Sequence, residues 1–159
     1  MRGLAKKLQE SSSNDILLDT TYLLPFIGIE VEGIEEGIYA KIMEKDPHFP
    51  SFLVPELAGV IVKEAKKRML DELPREVIDS FNSIIFGEEI KLVLPEGTDL
   101  EIAYKIIKLG WSDIFDAVLY ATGRRMGVKV LSLDRSFRNF LKKNGFDHRL
   151  LLSHKELFE

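Results

Sequence analysis

Five acidic residues stand at positions where an α/β fold gathers side chains. Asp19 and Asp134 each follow a short apolar run typical of a buried strand, and Glu56, Asp113 and Asp116 each fall in the first turn of a predicted helix. Because strand ends and helix starts share one edge of a parallel sheet, we expect these carboxylates to crowd one cleft. Like charges that close cannot all stay ionised without compensation. Oxygen ligands of this kind select Mg²⁺ or Mn²⁺, and such a pocket suits phosphodiester hydrolysis.

The stretch from Trp111 to Phe137 must position three of these acids. Its apolar residues repeat at helical spacing from Ile114 to Met126, with Ser112 placed to cap the helix and Gly127 placed to end it. The run from Val128 to Leu133 has the length and β-branched content of a buried parallel strand. The pattern therefore predicts a helix that starts with two acids, followed by a strand that ends at a third.

The rest of the chain alternates helical patterns with short apolar runs. Predicted strands cover residues 16–18, 91–94, 128–133 and 149–152, and residues 52–54 are expected to be extended or a very short strand. Predicted helices cover residues 20–27, 35–45, 55–70, 74–86, 98–109, 113–126 and 135–144. The helix over 98–109 is expected to use Thr98 as its cap and Glu101 at the capping-box position. Because no tight hairpin signal appears, the expected fold is a three-layer α/β/α domain with a central parallel sheet of about four or five strands.

Composition limits which kinds of metal site and which class of protein the sequence can encode. The 159 residues contain no cysteine, which excludes disulfides, thiolate metal sites and cysteine nucleophiles. An apolar fraction of 45% suffices for one core. We therefore expect a single domain over residues 15–153, with a polar N-terminal arm over 1–14 and a C-terminal tail over 154–159. Without a signal-peptide pattern or a membrane-spanning run, a soluble cytoplasmic protein with no membrane contact is expected.

Charge is distributed unevenly along the chain. The formal net charge of −4 argues against a protein that simply coats nucleic acid. Residues 30–46 contain six acids and two lysines, whereas residues 123–149 contain eight lysines or arginines and only two acids. The basic segment therefore adjoins two of the candidate metal ligands. The three histidines lie far apart in sequence, and we interpret them as surface or core residues.

Four of the acids lie in motifs that, taken in order, resemble those of a known family. The motifs are LLDTTYLL around Asp19, LVPELAGVI around Glu56, DAVLYATGRRMG from Asp116 and VLSLDRSF around Asp134. Their order and spacing resemble the four acidic motifs of the PIN-domain nucleases. The resemblance covers about residues 15–150, and its most specific part is the third motif together with the fourth.

The resemblance implies a metal-dependent ribonuclease that cleaves RNA with one or two Mg²⁺ or Mn²⁺ ions. It implies that Asp19, Glu56, Asp116 and Asp134 are catalytic residues and metal ligands. Thr20 and Ser132 match supporting polar positions, while Asp113 does not match the core pattern cleanly and is either a ligand or a helix-dipole acid. Candidate phosphate contacts beside the site, each of which could equally be a solvated surface residue, are Arg124, Arg125, Lys129, Arg135 and Arg138.

Two further questions stay open at the level of sequence. Many small stand-alone members of the family are VapC-type toxins, which are usually homodimers held inactive by an antitoxin protein, and this chain resembles them. Its acidic segment over 30–46 and its polar arm depart from that type. The alternative function is a catalytically inactive PIN-like scaffold that binds a protein or RNA partner, for which no metal dependence is expected. A phosphatase of the haloacid-dehalogenase type is poorly supported, because it needs a second aspartate two residues after the first, and Thr21 stands two residues after Asp19. A nucleotide-binding enzyme is poorly supported, because no phosphate-binding loop motif is present.

Overall fold

The structure, a computed structural model, describes residues 14–159 and contains a five-stranded parallel sheet flanked by helices. The strands are β1 (Asp15–Leu18), β2 (Asp46–Pro50), β3 (Lys91–Val93), β4 (Lys129–Leu131) and β5 (Leu151–Leu152). The helices are α1 (Leu24–Ile27), α2 (Glu36–Met43), α3 (Val54–Lys67), α4 (Arg75–Phe86), α5 (Gly97–Lys108), α6 (Ile114–Met126), α7 (Arg135–Lys143) and α8 (His154–Phe158). This confirms the expected three-layer α/β/α fold. The predicted polar arm, except its last residue, lies outside the described residues.

Strand order places β1 at the centre of the sheet. The order is β3-β2-β1-β4-β5, and all four pairings are parallel. The chain builds outward from β1 through β2 and β3, then returns to the other side of β1 with β4. The ends of β1 and β4 therefore flank the point where the strand order reverses, which is where open α/β sheets bind ligands. Between residues 14 and 159, no helix has the length and apolar character required to cross a membrane.

The core forms around the central strand. Ile16, Leu17 and Leu18 are all buried, so both faces of β1 are covered by helices, and an uninterrupted apolar run is the pattern expected of such a strand. On α6, a continuous series from Ala117 to Gly123 is buried. A helix buried over so much of its surface belongs to the centre of a domain rather than to its rim. The core therefore fixes the relative positions of β1, β4 and α6.

The second strand lies earlier in the chain than the sequence indicates. The sequence predicts a loop between Pro47 and Pro50 and an extended segment or very short strand over 52–54, but β2 covers Asp46–Pro50 and residues 51–53 form a 3₁₀ helix. Proline lacks the N–H that a strand donates, which is why the pattern indicated a loop. Burial of Phe49 between β1 and β3, where it pairs with Leu92, outweighs that local cost.

The structure differs from the sequence-based expectations at the start of α5 and over the C-terminal residues. The cap of α5 is Glu96 rather than Thr98, with Asp99 rather than Glu101 as its capping-box partner, because the first helical residue is Gly97, two residues earlier than a cap at Thr98 would place it. Residues 154–158, expected as a tail, form helix α8, which has its own capping box between Ser153 and Glu156. The segment is anchored because the buried His154 side chain contacts the hydroxyl of Tyr22 at 3.1 Å.

We expect Gly123→Ala to lower the free energy of unfolding by about 1–3 kcal/mol, the usual cost of overpacking a core. Gly123 lies on α6 against β4, and a Cβ there would overlap with Cγ2 of the fully buried Val130. The matched control is Gly59→Ala on α3, where a Cβ meets nothing within 4 Å. That control should stabilise the protein by about 0.5–1 kcal/mol through helix propensity alone. Urea unfolding of both variants checks this, and equal stabilisation by both would contradict the packing described for α6.

Candidate active site

Strand ends deliver two of the acids. Asp19 follows β1, and its backbone N–H donates to the carbonyl of Leu131 at 3.1 Å, so the residue continues the pairing with β4. Its side chain then accepts from the N–H of Thr20 and caps a 3₁₀ helix. Asp134 follows β4 and caps α7 by accepting from the N–H of Phe137 at 3.0 Å. Both carboxylates are thereby fixed at the same edge of the sheet.

Helix starts deliver the other two. Glu56 lies in the first turn of α3, just after Pro55, and Asp116 lies in the first turn of α6. The cap of α6 is Asp113, which accepts from the N–H groups of Phe115 and Asp116, whereas the sequence predicted Ser112 in that role. Asp113 therefore has a structural task of its own. Its role as a metal ligand stays a prediction.

The four carboxylates act on one another electrostatically. The pKa of Asp19 is raised from 3.8 to about 7, mainly by burial; the hydrogen bond from Thr20 lowers it, and the charges of Glu56, Asp116 and Asp134 raise it. The pKa of Asp116 is raised to about 6, mainly by burial and then by the charge of Asp113; the hydrogen bond from Trp111 lowers it, and the charges of Asp134 and Glu56 raise it. Each of the four thus lies within electrostatic range of at least two of the others. The structure therefore brings together the acids of all four motifs.

Three polar side chains hold these carboxylates in place. The hydroxyl of the buried Thr20 donates to Oε2 of Glu56 at 3.0 Å, so residues from two separate motifs are joined. The hydroxyl of Ser132 accepts from the backbone N–H of Asp134 at 3.1 Å. Sequence reasoning missed the third, Trp111, whose indole N–H donates to Oδ2 of Asp116 at 3.1 Å. Its position in the loop just before α6 is the only sequence signal that could have suggested this contact.

The donor set suits a hard divalent cation. In the part of the chain that the structure describes, none of the four carboxylates forms an ion pair with a lysine, arginine or histidine, so their charge has no compensation from protein. Among residues 14–159, no three such groups stand close enough to form a ready-made coordination sphere. The fit therefore rests on donor chemistry and electrostatics: four mutually repelling carboxylates, of which Asp19, Asp116 and Asp134 are partly buried, supply the oxygen ligands that Mg²⁺ and Mn²⁺ prefer.

The five basic residues predicted to contact phosphate occupy different environments. The guanidinium of Arg125 donates to the buried carboxylate of Asp99 at 2.9 Å, and the ammonium of Lys129 donates to a backbone carbonyl, so both are engaged within the chain. Arg124 lies exposed in the last turn of α6. Arg135 and Arg138 lie on α7 directly after Asp134, and they line a groove that Asp134 and Ser132 also line. The last two are therefore the basic residues placed beside the acids.

In EDTA, we expect the free energy of unfolding to fall as the pH rises from about 4 to about 7. The pKa of Asp19 is about 7 in the folded protein and 3.8 in the unfolded chain. Between these two values only the folded state holds the proton, so the folded state loses stability as the pH rises and Asp19 ionises. Three pKa units correspond to at most about 4 kcal/mol from Asp19, and Asp116 acts in the same direction. Chemical unfolding at pH 5 and pH 8 measures this difference.

The variant Asp19→Asn isolates that contribution. At pH 8 without metal it should be more stable than the wild type, and its stability should vary less with pH. Adding Mn²⁺ at pH 8 should stabilise the wild type and have little effect on the variant, because a ligand stabilises only the state that binds it. A variant less stable than the wild type at pH 8 would contradict the repulsion described here.

Comparison with known families agrees with this geometry. The PIN domain model matches residues 16–143, which is most of the chain and includes all four acids. A search of curated proteins found no match. The matched segment contains β1 through β4 and the strand-order reversal that brings Asp19 beside Asp134. The chain belongs to the PIN-domain family, and its fold is of the nuclease type.

Proposed function

We propose that the protein is a metal-dependent endoribonuclease that hydrolyses RNA phosphodiester bonds at the four-carboxylate site. The observation that supports this most is the convergence of Asp19, Glu56, Asp116 and Asp134 at the strand-order reversal, with no basic side chain of the described residues paired to them. Four unpaired carboxylates repel the negative charge of a phosphodiester, so the site can bind this substrate only when a bound cation makes its local charge positive.

In this proposal the four carboxylates hold one or two Mg²⁺ or Mn²⁺ ions. When bound, such ions supply positive charge to the phosphate oxygens and lower the pKa of the attacking water. The chain itself orients the carboxylates: Thr20 fixes Glu56, Trp111 fixes one oxygen of Asp116, and Ser132 fixes the backbone at Asp134. Supporting hydrogen bonds of this kind typically change metal affinity or activity by about 10–100-fold when they are removed.

The role of toxin in a toxin–antitoxin pair is a finer proposal. It rests on the resemblance to VapC-type proteins, and it implies that the protein forms a homodimer and binds an antitoxin protein. Large apolar side chains on the surface, such as Leu94, Leu100 and Tyr104, are more than half exposed and are compatible with a protein partner. Sedimentation of the purified protein tests the dimer independently of catalysis.

The test of the main proposal is cleavage of a mixed-sequence single-stranded RNA in Mn²⁺ and in EDTA, beside single-stranded DNA of the same sequence. The proposal expects cleavage of RNA in Mn²⁺ alone and little cleavage of DNA. Equal cleavage in EDTA would refute metal dependence, and preferential cleavage of DNA would refute the proposed substrate. An absence of cleavage on every substrate would favour the alternative of an inactive scaffold that binds a partner.

A further inference from the structure

A groove of about 620 Å³ extends from the acidic site toward the C-terminal end of the chain. Asp134 and Ser132 line one part of it, α7 forms one wall, and residues 153–156 form the other. Of the four acids of the proposed site, Asp134 alone lines the groove, so the groove adjoins that site at Asp134. A substrate bound at the four carboxylates could extend along it without crossing the core of the domain.

Cations lie along both walls of this groove. On α7, Arg135, Arg138 and Lys142 follow the three- and four-residue spacing that places side chains on one helix face. The opposite face of the same helix buries Phe137 and Leu141 in the core, so the basic face cannot turn away from the groove. Lys155 is contributed by α8 from the other wall.

Three of these four cations lack a charged partner. Between residues 14 and 159, Arg135, Lys142 and Lys155 form no ion pair with a carboxylate, and all three are exposed. The groove is lined by four lysines or arginines and by three acids, Glu32, Asp134 and Glu156, so the cations are in excess and an anion is favoured along the α7 stripe. Successive residues of the α7 stripe stand about one helical turn, or about 5.4 Å, apart, which is comparable with the separation of neighbouring phosphates in an extended strand.

The fourth cation is occupied by a carboxylate. Nη1 of Arg138 lies 2.6 and 2.7 Å from the two carboxylate oxygens of Glu156 on α8. Glu156 is itself held in place, because it also accepts from the backbone N–H and the hydroxyl of Ser153. A carboxylate in this position presents to the guanidinium the same pair of acceptors as a phosphate would. The ion pair therefore competes with any phosphate that enters the groove.

This wall of the groove is not part of the family match. The matched segment ends at residue 143, whereas Ser153, Lys155 and Glu156 lie beyond it. The second wall therefore lies outside the segment that the family model matches, and the match itself does not describe the groove.

We propose that this groove binds the sugar–phosphate backbone of the RNA substrate to one side of the cleavage position, and that Glu156 weakens this binding by competing for Arg138. The inference rests on the proposed ribonuclease function for its choice of ligand. Arg135, Lys142 and Lys155 contact phosphates of the strand. Because the contacts are made to the backbone, the groove contributes affinity and register rather than preference for particular bases.

Binding is measured apart from cleavage, by fluorescence anisotropy of a labelled single-stranded RNA with the full-length protein in EDTA. Lys142→Ala and Lys155→Ala should each weaken binding about 3–10-fold and reduce the dependence of log K on log salt by about 0.7. Lys143→Ala is the matched control, since it removes the neighbouring exposed lysine of α7, which does not line the groove. Glu156→Gln should tighten binding about 3–10-fold, because glutamine keeps the capping-box role while losing the charge.

Two outcomes would overturn the inference. The first is that Lys142→Ala and Lys143→Ala weaken RNA binding equally, which would indicate a diffuse charge effect. The second is that Glu156→Gln binds RNA more weakly than the wild type while its melting temperature is unchanged. Cleavage of the same RNA in Mn²⁺ is measured in parallel. Cleavage with no specific effect of the groove variants would refute the groove and leave the ribonuclease proposal intact. Specific effects on binding without cleavage by the wild type would support the groove and refute the ribonuclease proposal.

Discussion

Replacing Asp116 by asparagine is expected to lower the rate of RNA cleavage in Mn²⁺ by at least about 100-fold. Loss of a residue that merely supports a metal ligand already costs about 10–100-fold, so loss of a ligand should exceed that range. Asparagine keeps the size of the side chain and can still accept the hydrogen bond from the indole of Trp111. Initial rates at saturating Mn²⁺, with circular dichroism to confirm folding, separate the chemical effect from a structural one.

Two other acids, one on α5 and one at the cap of α6, are compared with Asp116. Glu101→Gln removes an exposed charge from α5, and the charge of Glu101 does not contribute to the raised pKa of Asp19 or of Asp116, so the activity should be unchanged. Asp113→Asn keeps a good helix cap, because asparagine caps about as well as aspartate. Full activity in Asp113→Asn would assign Asp113 to capping alone, whereas a loss comparable with that of Asp116→Asn would add it to the metal ligands. Full activity in Asp116→Asn itself would contradict the proposed site.

Asp99→Ala is expected to lower the free energy of unfolding by about 3 kcal/mol. The side chain of Asp99 is only 1% exposed and lies 2.9 Å from Nε of Arg125, which is 26% exposed. Breaking a buried ion pair from one side costs about 3–5 kcal/mol, and the partial exposure of Arg125 favours the lower end of that range. The hydroxyl of Thr122, which donates to Asp99 at 3.2 Å within the buried interface of α5 and α6, would also lose its acceptor. Thermal or urea unfolding measures this loss.

The control for Asp99 is an exposed ion pair of the same type. Arg75 and Asp79 on α4 are 3.3 Å apart, but their side chains are 81% and 61% exposed, so water screens the interaction. Asp79→Ala should change the free energy of unfolding by no more than about 0.5 kcal/mol. Similar losses in the two variants would show that burial does not decide the strength of these pairs in this protein.

The central strand and the gathering of the acids could be predicted from sequence because both follow from local patterns. The continuous apolar run at Ile16–Leu18 is typical of a strand that is buried on both faces, and strand β1 lies there. Asp19 directly follows β1 and Asp134 lies three residues after the end of β4, so the rule that ligand sites form at strand ends was sufficient to bring them together. Their role as metal ligands is a separate matter and stays a prediction.

The features that sequence reasoning missed depend on contacts between distant segments. Strand β2 contains two prolines, and its place between β1 and β3 is decided by the burial of Phe49 rather than by local preference. Asp99 is the capping-box partner of Glu96 on α5, and its ion pair with Arg125, 26 residues away, requires the packing of α5 on α6. The groove needed the position of α8, a segment that the sequence indicated only as a tail.

Binding of Mn²⁺ tests most directly the central claim that the four carboxylates form one metal site. Titration calorimetry at pH 7.5 should show saturable binding to the wild type, and Asp19→Asn and Asp134→Asn should each weaken it by at least about tenfold. Glu101→Gln should bind as the wild type does. If Mn²⁺ binds to the wild type and to both site variants with the same affinity, or does not bind to the wild type, the four carboxylates do not form a metal site and the account is wrong.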